Sequence, residues 1–220
     1  MTTAPTRQLL NTQTPHYLSR GRAANADVRL LQIGAQRWVV KDFSACPWFI
    51  RNTLGRLMIG RELYALQRLA GISGVPGNAQ RIDAYAFAYH FIEARPLAKV
   101  PATELSPAFF LAYEKLVLQM HERGLVHLDL RNSGNVLITP DFQPILIDFQ
   151  SWLSLPRWWP ALARYLQKID LSGVYKFWTR CLPGTMDAER QAVLDSVNNW
   201  RRGWVFSNYF GLRRFFRERQ

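Results

Sequence analysis

Cysteine, lysine and long apolar runs are all scarce in this 220-residue sequence. The two cysteines, Cys46 and Cys181, lack the paired spacing of a metal site, which predicts free thiols in a reducing compartment. No uncharged apolar run reaches the roughly 20 residues that a membrane-spanning helix needs. The N-terminal MTTAPTRQLLNTQTPH lacks the basic start and apolar stretch of a signal peptide. Because 48% of the residues are hydrophobic, a disordered chain is excluded, and we expect a globular, cytoplasmic protein.

Acidic residues are also few. The chain has 28 Lys+Arg against 16 Asp+Glu, a net charge of +12. Residues 151–220 hold 12 basic and 5 acidic residues, together with six of the eight tryptophans. A positive field attracts phosphate-rich partners, and interleaved tryptophan is typical of the lipid interface. Composition alone leaves nucleic acid, anionic lipid and a phosphorylated glycan open as partners.

The first part of the chain is predicted to consist mainly of strands. The elements expected there are an irregular start over 1–26, a hairpin of strands 28–33 and 37–42, a helix over 48–69, and strands over 81–85 and 88–92. Alternation of apolar residues predicts the strands, and three- and four-residue apolar spacing predicts the helix.

Helices dominate the second part of the sequence. After a proline-rich connector over 94–107, Ser106-Pro107 provides a capping side chain and a first-turn proline for a helix that ends at Gly124. A second hairpin is expected from strands 135–138 and 145–148, followed by helices interrupted at Pro156, Pro160, Pro183 and Gly184. The pattern predicts an α+β protein in two lobes, a small antiparallel β-rich lobe over 1–93 and a helical lobe over 94–220.

Oxygen-bearing side chains flank the second predicted hairpin. Asp129 precedes it, Asn135 begins its first strand and Asp148 ends its second. A loop carboxylate and two residues at the ends of one hairpin can converge on one point. Hard oxygen ligands hold Mg²⁺ on phosphates, and a separate carboxylate can take the proton of an attacking hydroxyl. This arrangement predicts phosphoryl transfer.

Four segments together resemble the protein-kinase-like superfamily. HLDLRNSGNVLI matches the catalytic loop, IDF of LIDFQ the metal-binding motif, Lys41 in WVVKDF the strand lysine, and Glu62 in GRELYAL its helix partner. The sequence looks most similar to the bacterial lipopolysaccharide-kinase (Kdo/WaaP) group and to RIO-like kinases. The resemblance covers residues 36–150 and implies a compact protein-kinase-like fold that uses ATP and Mg²⁺.

The resemblance implies a role for each matching residue in nucleotide binding. Lys41 would hold the nucleotide phosphates and Glu62 would orient Lys41. Phe91-Ile92-Glu93 would form the hinge on which adenine rests. Lysine at position 41 is notable because the chain has 23 arginines and only five lysines, so a compact ammonium is favoured there.

The remaining matches concern transfer itself. Asp129 would be the catalytic base, Arg131 would steady the transferred phosphate, and Asn135 and Asp148 would bind Mg²⁺. The gap from Asp129 to Asn135 is six residues where the family has five, so Asn132 competes with Asn135 as the metal ligand.

Three further departures from the family pattern affect nucleotide binding and regulation. No G-x-G-x-x-G precedes the first hairpin, which predicts a poorer backbone cradle for phosphates. Gln150 replaces the usual glycine, which predicts a segment less able to change conformation. No long activation segment and no A-P-E follow, so regulation by loop phosphorylation is not expected.

Aromatic residues are mixed with arginines in residues 151–160 and 200–220. One interpretation is that the aromatics complete the core while the arginines face water. The other is a peripheral membrane surface at the inner face of a bacterial inner membrane, with arginines against anionic lipid. Nucleic-acid binding is less favoured because no recognised motif accompanies the charge.

The sequence therefore leaves three hypotheses for the function. The leading hypothesis is phosphate transfer from ATP to a hydroxyl of a lipopolysaccharide inner-core sugar. The alternative is a RIO-like protein serine/threonine kinase. The third is a pseudokinase that acts as a scaffold or nucleotide sensor.

Overall fold

A computed structural model of the chain describes residues 4–21, 24–156 and 158–203. The chain begins with helix α1 (Arg7–Thr12) and strand β1 (His16–Ser19), followed by strands β2 (Asp27–Ile33) and β3 (Gln36–Asp42). The predicted hairpin is confirmed, since β2 and β3 pair antiparallel from Asp27↔Asp42 to Ile33↔Gln36.

The expectation of an irregular start over 1–26 is wrong. Thr6 caps α1 by accepting a hydrogen bond from the Leu9 amide, and Leu10 is buried on the outer face of the sheet. Arg7 donates to Asp42 at 2.6 Å and to Asp83 at 2.6 Å. A six-residue helix and a four-residue strand are too short to show a clear period, so tertiary contacts decide their structure.

The long helix is interrupted near its start. It consists of α2 (Trp48–Ile50), a π-helical turn over Arg51–Gly55 and α3 (Arg56–Arg68). Together these elements match the predicted 48–69. The buried side chains of α3, among them Ile59, Glu62 and Leu66, face the sheet and the core.

Two more strands complete the first sheet, β4 (Gln80–Arg81) and β5 (Ala86–His90), in the antiparallel order β1-β2-β3-β5-β4. The predicted bounds of 81–85 and 88–92 are wrong by several residues. The side chain of Asp83 accepts a hydrogen bond from the Tyr85 amide and so forms a turn where the first of these strands was expected to continue.

The helical part begins with β6 (Arg95–Pro96) and α4 (Pro107–Glu122), whose predicted cap is confirmed because Ser106 accepts from the Phe109 amide. The remaining elements are β7 (Leu125–Val126), β8 (Val136–Ile138), β9 (Pro144–Leu146), β10 (Leu153–Ser154), α5 (Pro160–Cys181) and α6 (Ala188–Gly203). Strand β8 pairs with β6 and β9, and β10 pairs with β7.

The α+β prediction is confirmed. One cluster of buried apolar side chains runs from the sheet through α3 and α4 to α5 and α6, while the lobe boundary at residue 93 stays a prediction. Cys46 and Cys181 are free thiols. Within the described ranges, no helix is both long and apolar enough to cross a bilayer.

Candidate active site

A cleft of about 530 Å³ lies between the first sheet and the β8–β9 hairpin. Its walls are largely apolar, with Val28 and Val39 from the sheet facing Leu137 and Ile145 from the hairpin. Lys41, Asn135 and Asp148 line the same cleft, and Ser19, His90 and Lys99 are further polar residues of its lining. A largely apolar cleft with a few convergent polar groups suits a planar base that carries charged phosphates.

Lys41 connects two carboxylates that are far apart in the sequence. Its Nζ lies 2.7 Å and 2.8 Å from the two carboxylate oxygens of Glu62, and 2.9 Å from Oδ1 of Asp148. Burial by itself lowers the pKa of Lys41, but the carboxylates of Glu62 and Asp148 outweigh it and raise that pKa well above its usual range. The ammonium is therefore charged throughout the physiological range, as a phosphate-binding group must be.

Asp148 occupies a sharp bend at the end of the second hairpin. Its φ is 65°, a left-handed conformation that costs energy for a residue with a side chain. The next residue, Phe149, is fully buried with its ring 4.8 Å from that of His127, and His127 Nε2 lies 3.0 Å from the Ile147 carbonyl oxygen. These contacts hold the bend and turn the Asp148 carboxylate into the cleft.

Asp129 and Asn135 are joined within the loop before β8. The amide Nδ2 of Asn135 donates to Asp129 Oδ2 at 2.8 Å and to its backbone carbonyl at 3.1 Å. Asn132 is exposed, and its Oδ1 accepts from the Gly134 amide. A short 3₁₀ turn over Ser133–Asn135 accommodates the extra residue. The cleft is lined by Asn135, which is buried, and not by Asn132.

Asp170, which the sequence interpretation missed, supports this loop from α5. Its carboxylate accepts from the backbone amides of His127 and Leu128, both at 2.7 Å, and lies 3.1 Å from His121 Nε2. The Leu128 φ of 65° is thereby held in place. A lone aspartate within the apolar segment LQKIDLSGVY was the only local signal, since its partners lie more than 40 residues away.

Gly173 allows α5 to approach the same loop closely. A Cβ at this position would lie 2.7 Å from the carbonyl carbon and oxygen of Leu130, closer than real atoms come. Helix α5 therefore presses its backbone against the loop that carries Asp129.

Arg131 is turned toward the helices. Its guanidinium donates to Ser172 Oγ at 2.9 Å and to Asn198 Oδ1 at 3.0 Å, and its carbonyl accepts from Lys176. The expected position beside a transferred phosphate is therefore not the one observed. Arg131 ties the loop to α5 and α6.

Glu93 does not reach the cleft either. Its side chain is 71% exposed and pairs with Arg37 at 3.0 Å, whereas Phe91, Ile92 and Ala94 line the cleft. Phe91 donates its amide to the Arg37 carbonyl, which extends the sheet edge into this segment. The predicted hinge is placed at the cleft, without the Glu93 side chain.

Arg61 and Trp152 hold α3 against the segment that follows Asp148. Arg61 donates to the carbonyls of Gln150 and Trp152, and Trp152 Nε1 donates back to the Arg61 carbonyl at 2.7 Å. The Trp152 ring stacks on Tyr64 with centroids 5.1 Å apart. We call this contact the α3 latch. Because Arg61 precedes Glu62, the latch fixes the carboxylate that holds Lys41.

The residues in the cleft fit a magnesium–nucleotide complex. Asp148 and Asn135 offer the hard oxygen ligands that Mg²⁺ prefers, and the Ile147 amide donates to the Asn135 carbonyl at 3.0 Å, which places the two ligands side by side. Within the described part of the chain, no three His, Cys, Asp or Glu side chains form a metal site by themselves. Phosphate oxygens and water molecules would therefore complete the coordination of a bound Mg²⁺.

Structural comparison identifies the fold. Two similar structures are the Rio2 kinase from Chaetomium thermophilum (TM-score 0.62) and its complex described as Rio2 kinase-ADP/Mg²⁺-phosphoaspartate (TM-score 0.59), each 18% identical to this chain. Each alignment covers 82% of this chain and 61–62% of the kinase, so the chain spans about three fifths of the length of these kinases. No protein-family model matches the sequence, and a comparison with curated proteins finds no match.

The predicted protein-kinase-like fold is confirmed. The similarity is to a Rio2 kinase, and the comparisons give no support to the narrower resemblance to the Kdo/WaaP group.

Proposed function

We propose that this chain transfers the γ-phosphate of ATP, with Mg²⁺, to a hydroxyl group. The observation that supports it best is the contact of one buried ammonium, that of Lys41, with both Glu62 and Asp148. A structural ion pair would need only one carboxylate. A second carboxylate that faces the cleft is expected where the ammonium and a metal share the same phosphates.

Lys41, Asn135 and Asp148 in the cleft, and Glu62 and Asp129 beside them, then each have a task. Lys41 binds phosphate oxygens while Glu62 orients it, and Asp148 and Asn135 hold Mg²⁺. The oxygen of the acceptor hydroxyl forms a bond to the γ-phosphorus, and the bond between that phosphorus and the bridging oxygen of ADP breaks. Asp129 accepts the proton that the hydroxyl loses. Magnesium supplies charge neutralisation on the phosphates when it is bound.

A protein hydroxyl is the acceptor that the structural likeness favours. Both similar structures are of a RIO kinase, so a RIO-like serine/threonine kinase is better supported than a kinase for the lipopolysaccharide inner core. The inner-core sugar and the cytoplasmic location remain predictions of the sequence.

A carboxylate acceptor is a second candidate. One of the similar structures is described as a phosphoaspartate complex with ADP and Mg²⁺. By analogy, the γ-phosphate would pass to an aspartate of this chain and then to water, which makes the protein an ATPase. An acyl phosphate of this kind is cleaved by hydroxylamine, whereas a phosphoserine ester is not.

The pseudokinase hypothesis is the least favoured. It rests on the absence of the glycine-rich loop and on the extra residue between Asp129 and Asn135. The 3₁₀ turn over Ser133–Asn135 accommodates that residue, and Asn135 still lines the cleft. The loop therefore keeps the side chains of both Asp129 and Asn135 in contact.

Radiolabelled phosphate transfer separates these functions. The full chain is incubated with γ-labelled ATP and Mg²⁺ against casein, against purified core lipid A and alone, and the products are treated with hydroxylamine. Stable label on protein supports the proposal, label on lipid favours the sugar hypothesis, and labile label favours the phosphoaspartate. Absence of both label and phosphate release, with Mg-ATP binding retained in calorimetry, would contradict every enzymatic hypothesis.

A further inference from the structure

A series of large apolar side chains is exposed along the outer surface of α3 and the segment after Asp148. At the start of the helical run, Trp48 is 69% exposed and Phe49 66%, and before α5 the ring of Trp158 is 82% exposed. Further exposed residues of this series are Leu57, Tyr64, Leu153 and Trp159, and the partly buried Trp152 lies among them. We call these eight residues the apolar band. Exposed side chains in such a series are unlike the scattered apolar residues of an ordinary surface.

Structural contacts join the middle of the apolar band. Leu57, Tyr64 and Trp152 line one open groove of about 360 Å³ together with Arg56 and Arg61. Leu153 follows Trp152 directly, and Trp48 and Phe49 begin the same helical run that carries Leu57. The band therefore has its centre at this groove, with Trp48 and Phe49 at the start of the helical run and the paired rings of Trp158 and Trp159 before α5.

Arginines accompany the apolar band. Beyond the groove, a second cavity of about 510 Å³ separates the end of α3 from the start of α5 and is lined by Arg68, Arg123 and Arg164. Of the described residues that line these two cavities, Glu122 is the one carboxylate. Five arginines against one glutamate give this surface a positive charge.

We propose that the apolar band and its arginines form a docking surface for an anionic lipid bilayer. Aromatic and leucine side chains gain free energy when they enter the apolar boundary of the headgroups, and arginines beside them bind acidic headgroups. Nucleic acid would satisfy the arginines and stack on the tryptophans, but Leu57 and Leu153 have no flat face to offer a base. The surface lies outside the cleft, so the inference does not depend on the proposed transferase activity.

The surface contains part of the region that the sequence indicated for membranes. Residues 151–156 and 158–160 contribute to it, whereas 204–220 lie outside the described residues. The contribution of α2 and α3 was not expected from the sequence, which predicted a helix over 48–69 and placed the membrane surface in 151–160 and 200–220.

Vesicle sedimentation tests the docking surface. The full chain is mixed with vesicles of phosphatidylcholine, and separately with vesicles that also contain phosphatidylglycerol. We expect the wild type to bind the anionic vesicles. Trp48→Ala/Phe49→Ala should bind them at least about ten-fold more weakly, because each substitution removes most of the apolar area that the side chain would bury in the bilayer. Arg56→Gln/Arg164→Gln should weaken binding by a similar factor, and this loss should shrink in high salt.

Helix α4 offers a matched control. Its exposed face carries Leu111 and Leu118 on either side of Lys115, which also combines apolar and basic side chains. Leu111→Ala/Leu118→Ala and Lys115→Gln should bind vesicles like the wild type, and thermal melting should show that all variants are folded. Equal binding by band and control variants would overturn the proposal, as would no vesicle binding by the wild type. Band-dependent binding of a single-stranded RNA, or band-dependent dimers in light scattering, each without vesicle binding, would also overturn it.

Discussion

The Lys41 ammonium and the Asp148 carboxylate lie 2.9 Å apart although 107 positions separate them in the sequence. The first comes from the central strand of the sheet and the second from the end of the β8–β9 hairpin, so their contact brings the two parts of the fold together at the cleft.

Asp148→Asn should abolish magnesium-dependent nucleotide binding. The substitution removes the carboxylate that would hold Mg²⁺ while it keeps the size of the side chain. Calorimetry with ATP, with and without Mg²⁺, measures the effect. Asp195→Asn on the exposed face of α6 is the control and should bind as the wild type does. Mg-ATP affinity unchanged in Asp148→Asn would show that the carboxylate is not a metal ligand.

Asp129→Asn should separate binding from transfer. The amide oxygen of asparagine can still accept from Asn135, so the loop is kept, but the group can no longer take a proton. We expect phosphate transfer to fall by a factor of about 100 to 10,000, while Mg-ATP affinity and melting temperature stay near those of the wild type. Steady-state rates and a thermal-shift assay provide the two readings. Asp129 has no role as a base if transfer proceeds at the wild-type rate.

Asp170→Ala should destabilise the protein. Two backbone amides and the ring of His121 would lose their acceptor in a buried position, which costs about 3 kcal/mol in the free energy of unfolding. Urea denaturation followed by circular dichroism measures it. Lys168→Ala, on the exposed side of the same helix, should change that free energy by less than about 0.5 kcal/mol. A similar free energy for both variants would contradict the role assigned to Asp170.

Arg7→Ala should destabilise the protein at neutral pH and much less in acid. Burial by itself raises the pKa of Asp42, but hydrogen bonds from Arg7 and Ser44 outweigh it and lower that pKa below its usual range. A carboxylate with a lowered folded-state pKa contributes stability above its unfolded pKa of about 4 and loses it as the pH falls through the folded-state value.

We expect a loss of about 2 kcal/mol at pH 7, because Arg29 remains paired with Asp42. The difference from the wild type should begin to shrink near pH 4 and vanish below the lowered folded-state pKa of Asp42. Unfolding by urea across this pH range tests the prediction. A constant difference at all pH values would mean that Arg7 acts by packing alone.

Local signals predicted the elements that depend on a cap, a turn or a long period. Ser106 caps α4 through its own side chain, and the first hairpin forms from the two strands expected for it. Helix α1 and strand β1 were missed because their structure depends on distant partners such as Asp42 and Asp83. The bounds of β4 and β5 shifted because a side-chain turn at Asp83 ended the first strand.

For the candidate site, the order and spacing of motif residues predicted Lys41, Glu62, Asn135 and Asp148. In the structure Lys41, Asn135 and Asp148 line one cleft, and Glu62 contacts Lys41. Side-chain direction could not be predicted from spacing. Arg131 points to Ser172 and Glu93 pairs with Arg37, and neither partner belongs to a recognisable motif. Asp170 was missed for a similar reason. Its partners include two backbone amides, and every residue type except proline has a backbone amide, so the sequence does not indicate which ones an aspartate will bind.

The α3 latch has a consequence for how the activity would be controlled in a cell. Arg61 and Trp152 hold Glu62 where it engages Lys41, and they do so without any covalent modification. A kinase-like domain that is assembled in this way would need no modification to complete the contact between Lys41 and Glu62. Its output would then be limited by how many copies are synthesised and by how often an acceptor arrives.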